Sequence, residues 1–346
     1  MLPIKLTPLD KKLLYYLDYR GKAQLTEIAQ WVGTSPQVIK YRLERLLEKG
    51  VIKNFLAFCD YNLCGAPIGW GYWLSFDGLT REKETEFYSY IEQHPHIPII
   101  MKSSGYADVM IAIVTKDIFT QDQVLLEVLE RFSPFVHVKE MVVGVSFYKL
   151  GRKHFYNGEK LIPSVSKSGT DSKAPKLDAL DRKILSVYQL HGRTSYEDAA
   201  KVIGVPVSTV RNRYEDLLKN NVILNTTFTL GYQKTGIKMQ RNLLKLRPDR
   251  AAQAELFEYC KKHPNVVSFI HIIGQSNLLL DIEAETLEQL HEIKQQLLFT
   301  FPALIKEYNI NNIHEVTQFS QMSIEYPEIA EKVGSSPWMS TKENSA

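Results

Sequence analysis

Cationic and hydrogen-bonding side chains recur on two short helical segments, a pattern typical of a surface that binds a polyanion. In the first segment, and on the β-prone stretch after it, they are Gln37, Lys40, Tyr41, Arg42, Arg45, Lys49 and Lys53. In the second they are Ser208, Thr209, Arg211, Asn212 and Arg213. Lys and Arg bind phosphates, and the amide of Gln37 can read a base edge. The two segments predict contact with double-stranded DNA, although Arg42 could instead pair with an acidic neighbour inside its own unit.

The two segments belong to a tandem repeat. The run that begins at Leu9 reappears from Leu180, and the match continues without a gap to Val51 and Val222, a constant offset of 171. Further along, the His-Pro pair at His94 reappears at an offset of 169. An in-step match of this length predicts that a whole two-part module was duplicated.

Positive charge is concentrated in the first part of each copy. Residues 1–55 hold ten Lys/Arg against five Asp/Glu, and residues 172–226 hold nine against six, whereas the whole chain carries only +3. The second copy has Asp216 in place of Arg45, and Leu224 in place of Lys53. Because phosphate contacts dominate affinity for DNA, the sequence predicts that the first copy binds more strongly.

Three predicted helices position the cationic side chains in each copy. Leu25, Ile28, Ala29 and Val32 have the i, i+3, i+4, i+7 spacing of a helix that buries one face. Gly33 ends this helix, and Ser35 and Pro36 are typical of the start of the next one. Gly50 in the first copy and Asn221 in the second are suited to the left-handed C-cap that ends the third helix. Two helices joined by such a turn predict a helix-turn-helix, whose second helix enters the major groove. The β-prone stretch 51–58 is predicted to form a wing.

The remainder of each copy predicts an α+β fold. In the first copy, strand and helix patterns alternate over 69–76, 80–94, 97–102, 108–115, 121–132 and 136–150. In the second they occupy 240–246, 250–263, 266–273, 278–283, 287–301 and 304–313. The order βαββαβ predicts a ferredoxin-like, four-stranded antiparallel sheet with both helices on one face. The uncovered face is expected to pair with the other copy in the same chain, with a second chain, or with both.

These patterns divide the chain into six parts. We predict a winged helix-turn-helix domain at 1–62 and a ferredoxin-like domain at 66–150, followed by a flexible, polar linker at 151–176. The second pair of domains is predicted at 177–232 and 237–318. Residues 319–346 have little core-forming content, and we expect this tail to be disordered.

The motifs resemble those of a known family, the leucine-responsive/asparagine regulator (Lrp/AsnC) family of transcription regulators. The likeness lies in an ordered set of residues: Leu9-Asp10, Leu13-Leu14, Ser35, Ile39, Arg42, Leu43, Leu46 and Gly50-Val51-Ile52. It implies a regulator that dimerises through its α/β modules and responds to an amino acid or related small molecule. In that family a Gly-x-x-Asp turn lies near the effector site. The resemblance therefore implies effector contacts at Gly105 and Asp108 in the first copy. It implies the same contacts at Gly274 and Asn277 in the second copy, where the uncharged Asn277 replaces the Asp of the pattern.

A capped tight turn is the alternative interpretation of the Gly-x-x-Asp pattern. Two alternatives to the regulator also remain open. Related folds resemble sirohaem decarboxylases, which are built from two such modules, and a scaffold that recruits other regulators is the third hypothesis. No Walker loop, GxGxxG, HExxH or GxSxG motif is present. We therefore predict no enzyme, no cofactor and no metal site.

The bulk composition indicates a cytoplasmic protein without membrane contact. No apolar run approaches the length of a membrane span, and the first residues carry no secretory signal. The chain has 3 cysteines and no CxxC pair, which is typical of a reducing compartment.

Overall fold

The computed structural model describes residues 3–65, 68–156, 158, 162, 165–169, 173–320 and 325–333. Residues 3–62, which we call the first head, form three helices and a strand: α1 (Pro8–Tyr19), α2 (Leu25–Val32), α3 (Pro36–Glu48) and β1 (Ile52–Cys59). Leu13, Ile28 and Ile39, one from each helix, are fully buried. The helical spacing of the apolar residues had predicted this core.

The turns of the first head use the residues that the sequence indicated. Gly33 ends α2 in the left-handed region at φ 84°, and the Ser35 hydroxyl accepts a hydrogen bond from the backbone N–H of Val38 at 3.3 Å. Gly50 has φ 67°, and Asn221, its counterpart in the second copy, has φ 57°. Left-handed backbone favours glycine first and asparagine next, so the predicted C-caps are confirmed.

The first α/β unit follows the predicted order of elements. They are β2 (Ile68–Phe76), α4 (Arg81–Gln93), β3 (Ile99–Gly105), β4 (Val109–Thr115), α5 (Ile118–Phe132) and β5 (Val136–Lys149). Hydrogen bonding gives the strand order β5–β2–β4–β3. Phe87 and Ile91 of α4 and Phe132 of α5 are buried in a cluster with Ile111 and Ile113 of β4, so both helices cover one face of the sheet.

The prediction of a flexible linker is wrong for two described parts of residues 151–176. Lys153–Phe155 form a 3-10 helix, and β6 (Ser166–Ser168) pairs antiparallel with the end of β5. Arg152 anchors this segment because it pairs with two buried carboxylates, Asp18 at 2.8 Å and Glu283 at 3.0 Å. Composition could not predict this, since both partners lie far away in the sequence.

The second copy repeats the architecture. Residues 177–232, the second head, contain α6 (Ala179–Leu190), α7 (Tyr196–Ile203), α8 (Val207–Lys219) and β7 (Ile223–Leu230), and a short α9 (Tyr232–Thr235) leads out of it. The second α/β unit consists of β8 (Lys238–Leu246), α10 (Arg250–Lys262), β9 (Val266–Gly274), β10 (Leu278–Ala284), α11 (Leu287–Thr300) and β11 (Ile305–Phe319). None of the helices in the described part of the chain is both long and apolar enough to cross a bilayer.

The two α/β units join edge to edge into one sheet. The second half of β11 pairs with β3 of the first unit, and the second half of β5 pairs with β9 of the second. Because β5 also pairs with β2, the ladder closes on itself as a barrel. Side chains from both units, including Trp73, Met101, Met239 and Leu243, share one core inside it. The predicted pairing of the two modules within one chain is confirmed.

The stretch predicted to be a wing is a strand with an unexpected partner. β1 pairs antiparallel with β7, its counterpart in the second head, so the two strands form a ribbon between the heads and the barrel. Lys53 at the start of β1 lies against β11, where its Nζ is 3.1 Å from Glu315 Oε1 and donates to the Val316 carbonyl at 2.9 Å. Lys53 thus makes internal contacts, and its predicted phosphate contact stays a prediction.

The predicted disorder of the tail is also wrong over residues 325–333. Helix α12 (Pro327–Val333) packs on the second head, where Ile329 and Val333 join the core of α6, α7 and α8. Arg182 forms an ion pair with Glu325 at 2.6 Å beside this helix. The short segment is too polar to be predicted from its own composition. At its start, Phe319 belongs to strand β11 (Ile305–Phe319), and residues 321–324 and 334–346 of the predicted tail lie outside the described residues.

Removing the apolar anchor of α12 is expected to destabilise the second head. Ile329→Ala deletes a side chain that is 9% exposed and should lower the free energy of unfolding by about 2 kcal/mol, the low end for such truncations. The measurement is thermal unfolding of the full chain. Glu331→Ala, on the exposed side of the same helix, is the matched control. Equal stability of the two variants would mean that α12 contributes nothing to the second head.

Candidate nucleic-acid interface

In each head, an ion pair with a buried carboxylate fixes the position of the second helix of the helix-turn-helix. Arg42 of α3 donates to Asp10 Oδ1 of α1 at 2.8 Å and to the Thr7 hydroxyl at 3.0 Å. In the second head, Arg213 of α8 is 3.1 Å from Asp181 and 2.9 Å from Asp178. These contacts agree with the second of the two interpretations of Arg42, in which it positions its helix by pairing with an acidic neighbour. Arg213 makes an equivalent internal pair, and its predicted minor DNA contact stays a prediction.

Asp10 is the centre of this arrangement in the first head. It closes a capping box with Thr7, and its side chain is 2% exposed. Burial raises the pKa of this carboxyl, but hydrogen bonds from Thr7 and the ion pair with Arg42 outweigh burial, so the pKa lies below its usual range. The stability that these bonds contribute is present above the unfolded pKa near 4 and is lost as pH falls through the folded value.

The outer face of α3 carries the remaining predicted contacts. The side chain of Lys40 is 58% exposed, 3.9 Å from Glu44, and Tyr41 is 66% exposed. Arg45 is 31% exposed and lies 3.8 Å from Asp10, and Gln37 and Lys49 are exposed. A Tyr this exposed gains little from burial, so its position suits contact with a partner. The structure thus brings Gln37, Lys40, Tyr41, Arg45 and Lys49 together on one helix face.

The corresponding face of α8 is less basic. Ser208, Arg211 and Asn212 are exposed and Thr209 is half-buried, while Glu215 and Asp216 are exposed among them. The Arg211 guanidinium lies 5.5 Å from the ring centre of Tyr196, within its own head. These positions preserve the predicted charge difference between the heads.

Two cations outside the predicted sites hold the heads together. Lys22 of the first head donates to the Thr194 carbonyl at 2.5 Å, and its Nζ lies 4.4 to 5.2 Å from the ring centres of Tyr188, Tyr196 and Tyr214. Arg193, its counterpart at the offset of 171, donates to the carbonyls of Gly21 and Ala23. Burial, with a smaller contribution from Arg193, lowers the pKa of Lys22 to about 7, whereas the ring faces favour its protonated form. Lys22 and Arg193 occupy equivalent positions of the two copies, and each donates to the backbone of the other head. The constant offset of 171 was therefore a sequence signal that could have identified them.

Two glycines allow the heads to approach this closely. Gly21 donates its N–H to the Thr226 carbonyl at 2.8 Å, and Gly192 donates to the Phe55 carbonyl at 2.8 Å. A Cβ at residue 21 would lie 2.7 Å from the Thr226 carbonyl oxygen, and one at residue 192 would lie 2.8 Å from the Leu56 backbone. Each glycine packs on the ribbon strand of the other copy, which fixes the spacing of the two heads.

The turn between β3 and β4 contains the first predicted effector residues. Gly105 has φ 104°, and a Cβ there would lie 2.8 Å from the Ile310 carbonyl oxygen of β11. The Asp108 carboxylate accepts a hydrogen bond from the Phe76 N–H at 2.8 Å. In the turn after Gly274, the side-chain oxygen of Asn277 accepts a hydrogen bond from the Leu246 N–H at 2.7 Å. The side-chain nitrogen of Asn277 donates to the Leu246 carbonyl at 2.9 Å. Both side chains cap the first strand of their own unit.

A conservative substitution separates the capping role of Asp108 from an effector role. Asp108→Asn places the second copy's residue in the first, so the cap should survive and the melting temperature should change little. Asp108→Ala leaves the Phe76 N–H unpaired and should cost about 1–3 kcal/mol. The measurement is thermal unfolding with and without a panel of amino acids. An Asn variant as unstable as the Ala variant would contradict the capping role.

Glu140 connects the two turns. This carboxylate is 4% exposed, accepts a hydrogen bond from the Tyr106 hydroxyl at 2.8 Å, and accepts another from the Ser276 N–H at 2.7 Å. Burial raises the pKa of Tyr106, and the bond to Glu140 raises it further. The turns therefore share one buried acceptor, which no local sequence pattern indicates.

Comparison with known proteins agrees with this geometry. A family model described as winged helix-turn-helix DNA-binding matches residues 6–53, and one described as an AsnC-type helix-turn-helix domain matches residues 177–218. The HTH-type transcriptional regulator FL11 of Pyrococcus horikoshii is 32% identical over 33% of this chain and 74% of its own. The protein of the same name from Pyrococcus furiosus is 32% identical over 32% of this chain and 72% of its own.

The overall architecture has a solved counterpart. The structure of the siroheme decarboxylase NirDL covers 94% of this chain and 97% of its own with a TM-score of 0.58, at 14% identity. At that identity the likeness concerns the fold alone. The two helix-turn-helix matches, the identity to the regulators and the anchored, exposed helices α3 and α8 agree with one another. The chain belongs to the Lrp/AsnC family of DNA-binding transcription regulators, with the helix-turn-helix present twice.

Proposed function

We propose that this regulator binds one DNA duplex with both heads and that the first head supplies most of the affinity. The observation that carries the proposal is the outer face of α3. Lys40 and Tyr41 project into solvent from a helix that the Arg42–Asp10 pair holds in place, and Arg45, which is 31% exposed, lies 3.8 Å from the same carboxylate at the border of this face. In the second head, Asp216 stands where the first has Arg45 and repels phosphate. Gln37 and Lys49 complete the proposed surface of α3, and Ser208, Thr209, Arg211 and Asn212 form the weaker one.

The α/β units are proposed to act as a sensor and an assembly surface. Their strand order and one-sided helices support two ferredoxin-like modules, at 66–150 and 237–318, that arose by duplication. An amino acid or a related molecule is the proposed effector, since the turns at Gly105 and Gly274 meet across the module interface. A homodimer is also proposed. Met141, Val145 and Ile273, on the adjacent strands β5 and β9, are 43–66% exposed and support a second copy as the partner.

A sirohaem decarboxylase-like enzyme is the second candidate, and the fold shared with NirDL favours it. Drug-sized ligands occupy pockets of roughly 300–1,000 Å³, and a tetrapyrrole needs space in that range. The cavity between the ribbon and the barrel measures only about 90 Å³. A cavity of about 930 Å³ lies between the heads, and its described lining includes Arg193, Arg211, Tyr196 and Tyr214 but no His. The two helix-turn-helix matches and the identity to named transcriptional regulators favour the regulator over this candidate.

Genome-wide footprinting of the intact chain, with and without amino acids, tests the proposed function. We expect discrete protected sites whose occupancy changes with at least one amino acid. A purified protein that carries a Soret band or turns over sirohaem, and that protects no site, would overturn the proposal. A colourless protein that retards its own promoter fragment would support it.

A further inference from the structure

The cavity between the heads is lined by cations from both of them. It has a volume of about 930 Å³, and its described lining includes four cationic side chains, two from each head: Arg20, Lys22, Arg193 and Arg211. Its described carboxylates are Glu27 and Glu197, so cations outnumber them two to one. None of the residues proposed for DNA contact on α3 or for effector contact lines this cavity.

Lys22 brings a charge into this cavity without a carboxylate partner. Its Nζ donates to the Thr194 carbonyl and faces three tyrosine rings, and it forms no ion pair within the described part of the chain. Arg152 and Arg241, two other largely buried cations, each have a carboxylate oxygen at 2.8 Å or closer. Burial and the nearby charge of Arg193 lower the pKa of Lys22 to about 7. An anion in the cavity would offset this repulsion, so the site favours a negatively charged ligand.

Unused hydrogen-bond donors line the same cavity. Arg20 and Arg211, one on each head, are exposed, and neither guanidinium forms an ion pair or a hydrogen bond with another described residue. The Arg211 guanidinium lies only near the ring of Tyr196, 5.5 Å from its centre. The first turn of α2 also lines the cavity, and its N-cap residue Gln24 provides no side-chain cap, so the N–H groups of residues 25–27 have no acceptor in the described part of the chain. Guanidinium groups and the N–H groups of a helix N-terminus are donors that phosphates favour.

We propose that the cavity between the heads binds a phosphorylated ligand of nucleotide size. Its phosphates pair with Arg20, Lys22 and Arg211 and with the first turn of α2. The half-buried ring of Tyr196 provides a face on which the base stacks. A volume of about 930 Å³ lies within the range of roughly 300–1,000 Å³ that ligands of this size occupy, whereas a lone phosphate ion would leave most of it to water.

The ligand contacts both heads because its partners come from both copies. Arg20 and Lys22 follow α1 of the first head, whereas Tyr196 begins α7 and Arg211 lies on α8 of the second. Binding should therefore hold the heads together and raise the melting temperature of the chain. Any effect of the ligand on operator affinity rests on the proposed function, whereas ligand binding itself does not.

Calorimetry and thermal shift on the full chain without DNA test the site. The probes are ADP and GDP, with pyrophosphate and adenosine for comparison, all without divalent metal. We expect saturable binding of ADP or GDP and a melting temperature that rises with its concentration. Pyrophosphate should bind about tenfold more weakly because it cannot stack, and adenosine should not bind. Absence of saturable ADP and GDP binding at millimolar concentration would overturn the proposal, and equal binding of pyrophosphate would overturn the nucleotide assignment.

Two variants locate the binding. Arg20→Gln removes an exposed charge and should weaken nucleotide binding about tenfold, and it serves alone if the second variant does not fold. Tyr196→Leu should weaken nucleotide binding but leave pyrophosphate binding unchanged. The control is Lys40→Ala with Arg45→Ala, on the proposed DNA surface of α3, which should bind nucleotide normally. Unchanged nucleotide affinity in both cavity variants, or a loss confined to the α3 control, would place the ligand elsewhere and overturn the proposal, whatever the DNA affinity of the chain.

Discussion

Lys40→Ala combined with Arg45→Ala should lower the affinity of the full chain for its operator about a hundredfold at physiological salt. Lys40 is exposed on α3 and Arg45 is partly exposed beside it, and a bidentate Arg contact to a base is worth about 1–3 kcal/mol. Each lost phosphate contact should also reduce the slope of log affinity against log salt by about 1. Fluorescence anisotropy of a labelled duplex at several salt concentrations measures both quantities.

The second head supplies the comparison for this prediction. Arg211→Ala with Asn212→Ala should reduce affinity less than tenfold, because acidic residues already weaken that face. Lys261→Ala with Lys262→Ala removes two exposed charges on α10, a helix of the second α/β unit outside both heads, and should leave affinity and salt slope unchanged. If the variants of the two heads lose equal affinity, the asymmetry between the heads is wrong. If the α3 variant binds normally, α3 is not the DNA surface.

Gly21→Ala should loosen the two heads from one another and weaken operator binding at least tenfold. The added Cβ would lie 2.7 Å from the Thr226 carbonyl oxygen, so the turn after α1 must move away from β7 of the second head. Overpacking of this kind costs about 1–3 kcal/mol in stability. Two heads at a fixed spacing gain affinity because the second binding step is intramolecular, and a changed spacing loses that gain. Gly192→Ala should act in the same way on the second head.

Gly69→Ala is the matched control for the glycine prediction. A Cβ at residue 69 of β2 would meet only Val114 Cγ2 at 3.9 Å, an ordinary contact. This variant should melt and bind DNA as the unmodified chain does. Thermal unfolding and anisotropy on the intact operator and on isolated half-sites distinguish the outcomes. If Gly21→Ala left the affinity for the intact operator unchanged, the close approach of the heads would be irrelevant to binding.

Local patterns predicted the helices and strands because the signals for these elements are local. The spacing of Leu25, Ile28 and Val32 predicted the buried face of α2, and Ser35 and Gly50 marked the ends of α3. The order of β-prone and helical stretches likewise predicted the order of elements in both α/β units. The uncovered face of each predicted sheet also indicated that the two units would meet.

Contacts between distant segments were the ones that sequence patterns missed. The ribbon partner of β1 is a strand in the other copy, so nothing near Lys53 indicated Glu315 as its partner. Arg152 lies in a polar, turn-rich stretch and could be assigned to a core only once Asp18 and Glu283 were placed beside it. Sequence patterns predicted only part of the proposed DNA-binding surface, because some of its residues depend on such distant contacts. Exposed residues of α3 follow from helical periodicity, whereas Arg42 and Arg213 required the position of the carboxylates on α1 and α6.

Hydroxyl-radical footprinting of the intact chain on an operator selected from random duplexes shows whether the two heads bind one duplex together. Two heads held at one spacing should protect two regions of the duplex, centred about 34–36 Å or a whole multiple of that distance apart. The combined substitution of Lys40 and Arg45 by Ala should abolish protection of one region first. A single protected region that persists in this variant would contradict the account of two joined heads with an asymmetric share of the binding.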